Sequence, residues 1–261
     1  MTLAGGGLVT FNCGAAPLTI AIGSQKSITQ TSMLDGGGKI TLSGGGATRL
    51  FAVSSAAGLS LRNLTLTNGS ALQGGAIFND GQLTIENSTM FGNNAPGGVG
   101  GAIYSTGLAT ITGSTFSLNF AGAGFSGAIN NSGTMTVSDS TFYGNSGGLA
   151  GGAIGNTGRL ALHDSTFNNN AGGASGALNN FGPLDLSGGL FFSNTAISGL
   201  GGGIYNGNNL TVTAVTFISN TAASGGGGCP PTDQRGVPRL GRCDIGAYEF
   251  VLRLFLPLSR K

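Results

Sequence analysis

Two short markers recur along this chain at a shared interval, and that interval is the strongest constraint on what the chain can fold into. A small-residue triplet stands at Gly75-Ala76-Ile77, Gly101-Ala102-Ile103, Gly127-Ala128-Ile129, Gly152-Ala153-Ile154, Gly176-Ala177-Leu178 and Gly202-Gly203-Ile204, its central residue advancing by 26, 26, 25, 24 and 26. A Phe-x-x-Asn pattern keeps the same beat at Phe91/Asn94, Phe116/Asn119, Phe142/Asn145, Phe167/Asn170, Phe191/Asn194 and Phe217/Asn220. Between the markers lie alternating segments such as Leu83-Thr84-Ile85, Met135-Thr136-Val137 and Leu210-Thr211-Val212, whose period of two sends the apolar members to one side. The register reaches back to Leu59-Ser60-Leu61, with looser strands at Leu18-Thr19-Ile20 and Ile40-Thr41-Leu42.

A unit of about 25 residues with short strands and no helical period cannot bury its own apolar face, so it must stack on its neighbours. The expectation is an all-β parallel solenoid over residues 1–225, followed at 226–261 by a Cys-bracketed loop, cap and apolar tail. Eight or nine rungs at about 4.8 Å each give a rod about 40 Å long. Leucine-rich repeats have a similar unit length, but their dense Leu-x-x-Leu-x-Leu frame is absent.

Stacking turns equivalent residues into ladders. Phe91, Phe116, Phe142, Phe167, Phe191 and Phe217 are expected to form an interior aromatic stack. Two amide series, Asn94 to Asn220 in the Phe-x-x-Asn pattern and Asn79, Asn131, Asn156, Asn180 and Asn206, are expected to hydrogen-bond from rung to rung. Gly81, Gly107, Gly133, Gly158, Gly182 and Gly207 fall where a corner needs positive φ or close backbone approach. That role accounts for much of the 52 glycines without a phosphate-binding loop.

Glycine without a three-residue period excludes collagen, and 39% apolar residues argue against a disordered linker. A net charge of +2 is too weak a field for nucleic-acid binding as a main role. No apolar run approaches the roughly 20 residues of a transmembrane helix, and Met1 to Gly14 do not read as a signal peptide, so an export signal would lie outside this chain. The three cysteines lack zinc spacing, and neither a metal nor a cofactor is implied. Cys229 and Cys243 bracket a short Pro/Gly-containing loop that a disulfide would close, leaving Cys13 over; three reduced thiols are the alternative.

The paired Gly-Gly-Ala-Ile and Phe-x-x-Asn markers over about residues 74–220 resemble the repeats of polymorphic outer-membrane proteins. Asp233-Gln234-Arg235-Gly236 with Cys243-Asp244-Ile245-Gly246-Ala247-Tyr248-Glu249 resembles the end of bacterial choice-of-anchor Q surface proteins. The resemblance implies a right-handed parallel β-helix, exported to the cell surface and acting in adhesion or as a structural component. It supplies no ligand, and the chain departs from the first family in lacking a C-terminal membrane β-barrel.

Right-handed β-helices also include pectin-cleaving enzymes that use aspartates on neighbouring rungs. The nearest counterpart is Asp139 with Asp164, one rung or about 5 Å apart, beside His163. Such a pair can divide into acid and base when its environments push the two pKa values apart. Their position is shared with Asn63, Asn87, Gly113, Gly188 and Ala214, however, which reads as a turn. His163 shares an outward column with Arg62, Glu86, Thr112, Ser138, Ser187 and Thr213, in which Arg62 and Glu86 suit an exposed ion pair. The Gly-His-Gly and Arg-x-Lys elements of those enzymes are absent, and the expectation is a non-enzymatic protein.

Binding candidates are Phe78, Tyr104 and Tyr205, which follow the small-residue triplet and point outward, where rings can stack on surface glycans. Asn130, Gly155 and Asn179 interrupt them. Self-assembly, end to end or lateral, is the second reading, because open solenoid ends expose unpaired backbone groups. A threonine array at Thr115, Thr141, Thr166 and Thr216 is a single column and suits ice binding poorly.

Overall fold

The computed structural model describes residues 6–199 and 201–223; Cys229, Cys243, the cap and the apolar tail lie outside them. The described residues hold 28 strands and no helix. Every strand pairing is parallel, and the pairings join positions 22 to 27 residues apart in sequence. The chain is a right-handed parallel β-helix of about nine turns. Sheets of 16, 8 and 4 strands form its walls.

One rung illustrates the rest. Leu108–Thr112 forms the first wall, Gly113 turns the corner with φ of 58°, and Thr115–Ser117 forms the second. The chain then crosses to the third wall, Ile129–Asn131. Alternation within the strands buries Ala109, Ile111, Phe116 and Ile129, while Thr110, Thr115, Ser117 and Asn130 face out. Each inward residue is covered above and below by its counterpart, so the rod's interior is one continuous core.

The corner between the first two walls requires a left-handed residue in every regular rung. Asn63, Asn87, Gly113, Asp139, Asp164, Gly188 and Ala214 all have φ between 46° and 64°, a region where Gly, Asn and Asp are the least penalised residues. In the second rung this corner carries three extra residues, shifting the register between Asp35/Arg62 and Ile40/Leu64. Asp35 braces the insertion by accepting hydrogen bonds from Gly37 N at 2.9 Å and Asn63 Nδ2 at 3.1 Å. Those donors, the Gly37 amide foremost, hold its carboxyl below the ordinary aspartate pKa.

The glycines at 81, 107, 133, 158, 182 and 207 do not have positive φ; close approach explains them. A Cβ at Gly133 would run into the Gly107 carbonyl oxygen of the rung below.

The aromatic stack forms from Phe116 through Phe217, with centroids 4.9, 4.6, 4.5 and 5.0 Å apart. Phe91 is not part of it. Its strand pairs Phe116 with Met90 and Ser117 with Phe91, so Met90 is buried and Phe91 faces out, 44% exposed. The first amide series shifts with it: Asn93, not Asn94, is the buried member. The looser N-terminal strands, Leu18-Thr19-Ile20 and Ile40-Thr41-Leu42, stack beneath Leu64-Thr65-Leu66 on the second wall, not beneath Leu59-Ser60-Leu61.

Asn145 is typical of this amide ladder. Its Oδ1 accepts from Asn119 N at 3.0 Å and Asn119 Nδ2 at 2.9 Å, while its Nδ2 donates to Phe116 O and to Asn170 Oδ1, each at 2.9 Å. The second series runs Asn131 to Asn156 to Asn180 to Asn206 at 2.7, 2.7 and 2.6 Å, and Asn79 donates instead to Ser105 Oγ at 2.9 Å. A serine ladder joins them: Ser114, Ser140 and Ser165 Oγ accept from Ser88, Ser114 and Ser140 N at 3.1 to 3.2 Å. These pairings satisfy polar groups that would otherwise be costly to bury at the corners.

Candidate functional site

The carboxylate pair considered for catalysis sits in the left-handed corner. Asp139 and Asp164 have φ of 49° and 46°, and their backbone amides bond to His163 O and Ser187 O of the next rung at 3.1 and 3.0 Å. This conformation is itself a reason for Asp at both positions. A side chain at Gly188 would strike the Asp164 carboxylate, so the rung above leaves that acid room only because it carries glycine. His163 stands on the outward column, its Nδ1 2.7 Å from Ser187 Oγ. Arg62 and Glu86 form the expected ion pair at 2.8 Å, both about 40% exposed, a geometry worth less than about 1 kcal/mol. Arg159 and Asp185 form a second at 3.0 Å. Among the described residues no three His, Cys, Asp or Glu side chains converge as a metal site. Cys13 is exposed, and among the described residues no helix is long and apolar enough to cross a membrane.

The third wall carries the ring-bearing candidates on one outward column. Pairing places Ala52, Phe78, Tyr104, Asn130, Gly155, Asn179 and Tyr205 in succession. Phe78 and Tyr104 make a tilted ring pair with centroids 5.6 Å apart, and Tyr205 pairs with Phe181 at 5.8 Å. An aromatic pair therefore stands on each side of the polar stretch Asn130 to Asn179, with Tyr104 and Tyr205 four rungs or about 19 Å apart.

Arg49 closes the Phe78 end. Its guanidinium lies 5.4 Å from the Phe78 ring centroid and donates to Gly74 O, Gln73 O and Gln25 Oε1 at 3.1, 2.7 and 2.7 Å. Burial lowers its pKa from the ordinary value, yet a guanidinium remains a cation at any physiological pH. Between the ring pairs the floor is polar: Asn130 Nδ2 reaches Ser126 Oγ at 3.4 Å, and Ser126 Oγ occupies the space a Cβ at Gly155 would need. Asn179 Oδ1 and Ser175 Oγ are buried with no protein partner among the described residues. Such an arrangement can stack apolar faces on its rings, with the half-buried Asn130 amide as the polar group between them.

A second set of outward rings lies on the second wall. Phe91, Ser117, Tyr143, Asn168, Phe192 and Ile218 occupy one column there. Beside it runs a threonine column, unbroken through Thr19, Thr41, Thr65, Thr89, Thr115, Thr141 and Thr166, then interrupted by Leu190 before Thr216. A constant five-residue spacing in the sequence, from the inward Ile111, Val137 or Leu162 to the inward Phe116, Phe142 or Phe167, identifies the residue after each ring as outward. Applied to Ile85, it selects Met90 and turns Phe91 out.

Comparison of the chain with protein-family models, with curated proteins and with solved structures gives no match.

Proposed function

We propose that this chain is a non-enzymatic β-helix of the cell surface that binds glycans along its third wall. The observation that carries the reading is the pair of aromatic clusters, Phe78/Tyr104 and Tyr205/Phe181, on either side of the stretch Asn130, Gly155 and Asn179 of one outward column. Sugars present apolar faces and a hydroxyl rim, and this column offers rings with the half-buried Asn130 side chain between them. Export and surface location rest on the repeat resemblance. The non-enzymatic reading draws on the corner conformation of Asp139 and Asp164 and on the hydrogen bond that ties His163 to Ser187. A glycan array tests the reading: retention of a defined set of oligosaccharides, weakened about tenfold by Tyr104→Ala, is the expected result. An array without signal, or a variant that binds as before, removes it.

Self-assembly is supported by a separate observation. Gly7–Thr10 and Leu18–Ala21, the first strands of the coil, each pair with only one neighbour among the described residues, and Leu8 and Leu18 are exposed beside that edge. An edge of this kind can template a second copy. Negative-stain microscopy at high protein concentration would resolve filaments; dispersed single rods would count against assembly.

A further inference from the structure

We infer that the second wall is a separate binding site for an uncharged, extended polysaccharide of the β-1,4-linked type, lying parallel to the rod axis. Three rings stand on one outward column at every second rung: Phe91, Tyr143 and Phe192, which are 44%, 45% and 37% exposed. The rungs between them carry Ser117 and Asn168. Two rungs place successive rings about 10 Å apart, close to the two-sugar repeat of an extended β-1,4-linked glycan. In such a ribbon each sugar is turned over relative to the last, so the same face recurs on every second unit. A ring at every second rung meets that face each time, and the polar rungs meet the edges of the sugars between.

Three further features of the wall agree with this ligand. Neither outward column between residues 89 and 218 carries a charge: the neighbours are Thr89, Thr115, Thr141, Thr166, Leu190 and Thr216. A neutral strip complements a neutral chain and offers no counter-charge to a sulfated or uronic one. Asn168, half-buried on the middle polar rung, presents a neutral amide side chain to the strip, its Oδ1 enclosed beneath the surface. The adjoining turn column reads Asn68, Gly92, Leu118, Gly144, Asn169, Ser193 and Ser219, all left-handed. Leu118 alone is a bulky apolar residue there, 51% exposed and leaning over Gly144. A leucine in this conformation is unfavourable by roughly 1–2 kcal/mol, and exposure gains it nothing in the free protein, so its place beside Tyr143 is better explained by a ligand that covers it.

The site is independent of the Phe78 to Tyr205 face, which belongs to another sheet. Isothermal titration of the full chain with cellohexaose and chitohexaose, together with co-sedimentation on microcrystalline cellulose and chitin, tests it. Binding to at least one of these is expected, weakened about tenfold or more by Tyr143→Ala and unchanged by Tyr104→Ala. A relocation variant, Tyr143→Ser with Ser117→Tyr, keeps the number of rings but places two on adjacent rungs; it should bind as poorly as Tyr143→Ala, with circular dichroism confirming that both fold. The inference is overturned if the wild-type chain binds none of the four probes or if the relocation variant binds like wild type. Loss of binding through Tyr104→Ala instead of Tyr143→Ala would assign the ligand to the other face. Side-by-side association of rods that Tyr143→Ala abolishes would assign the strip to a second copy of this chain.

Discussion

Ser105 interrupts a buried amide ladder, and the interruption can be repaired. Asn79 Nδ2 donates to Ser105 Oγ at 2.9 Å, but the serine does not reach the next rung, and Asn131 Oδ1 is left without a partner among the described residues. In the rungs that follow, the same backbone holds Asn131, Asn156 and Asn180 with side-chain bonds of 2.6 to 2.7 Å. Ser105→Asn should therefore supply the missing donor in a geometry the column already accommodates. Stability should rise by about 1 kcal/mol, seen as a melting temperature higher by about 2–4 °C; Asn156→Ser, which adds a second break, should lower it. An unchanged or lower value for Ser105→Asn would mean that this rung cannot admit the amide. The ladder was legible in the sequence because a buried column tolerates few polar residues, so the recurrence of Asn stands out. The position of Phe91 was not, because chemical identity and spacing point different ways: the aromatic label fits Phe91, whereas five residues from Ile85 lead to Met90. In a strand one residue decides between core and solvent, so the whole outward strip depended on that choice.

Among the elements, the second wall carries four of the five fully buried phenylalanines, the largest side chains of the core. Phe116, Phe142, Phe167 and Phe191 are fully buried, with interplanar angles of 9°, 2° and 6° between successive rings. Phe142 has a ring on both sides, so Phe142→Ala removes two stacking contacts and opens a cavity that neither neighbour can fill, since each is fixed by its own strand. The expected cost is about 3–5 kcal/mol. Phe217→Ala, at a half-buried position with one ring neighbour described, should cost clearly less. Urea unfolding of the two variants checks the order; equal losses would mean that the stack adds nothing beyond each ring's own burial. Strands from residue 58 onward were legible as elements because each repeats one alternation at nearly constant spacing. The second rung was harder to place: Asp35 to Ile40 spans five residues where Arg62 to Leu64 spans two, and the triglycine insertion hides the period. Sequence pattern finds elements by recurrence, and an insertion at a corner costs the fold little while it removes the recurrence.

At the scale of the whole molecule, the rod is a sum of rungs that touch only their neighbours, so a complete rung should be removable. Asn145 and Asn170 occupy the same place on successive rungs, and deletion of residues 146–170 joins Asn145 to Ala171 just as Asn170 is joined now. The core columns, both amide ladders and the left-handed corner keep their register. The shortened protein should unfold cooperatively, retain its β circular dichroism and be shorter by about 4.8 Å in small-angle scattering. Deletion of residues 146–157 alone breaks a rung partway and should prevent folding. The full-rung deletion also separates fold from function. It removes Asn168 and brings Tyr143 and Phe192 onto adjacent rungs, leaving all three outward rings in place but destroying their two-rung spacing. If ring spacing selects the ligand, the shortened rod should bind a β-1,4-linked hexasaccharide at least about tenfold more weakly than the parent. Retained binding by a well-folded shortened rod would show that ring number matters and spacing does not, and the fold argument would stand while the match to a two-sugar repeat would fall.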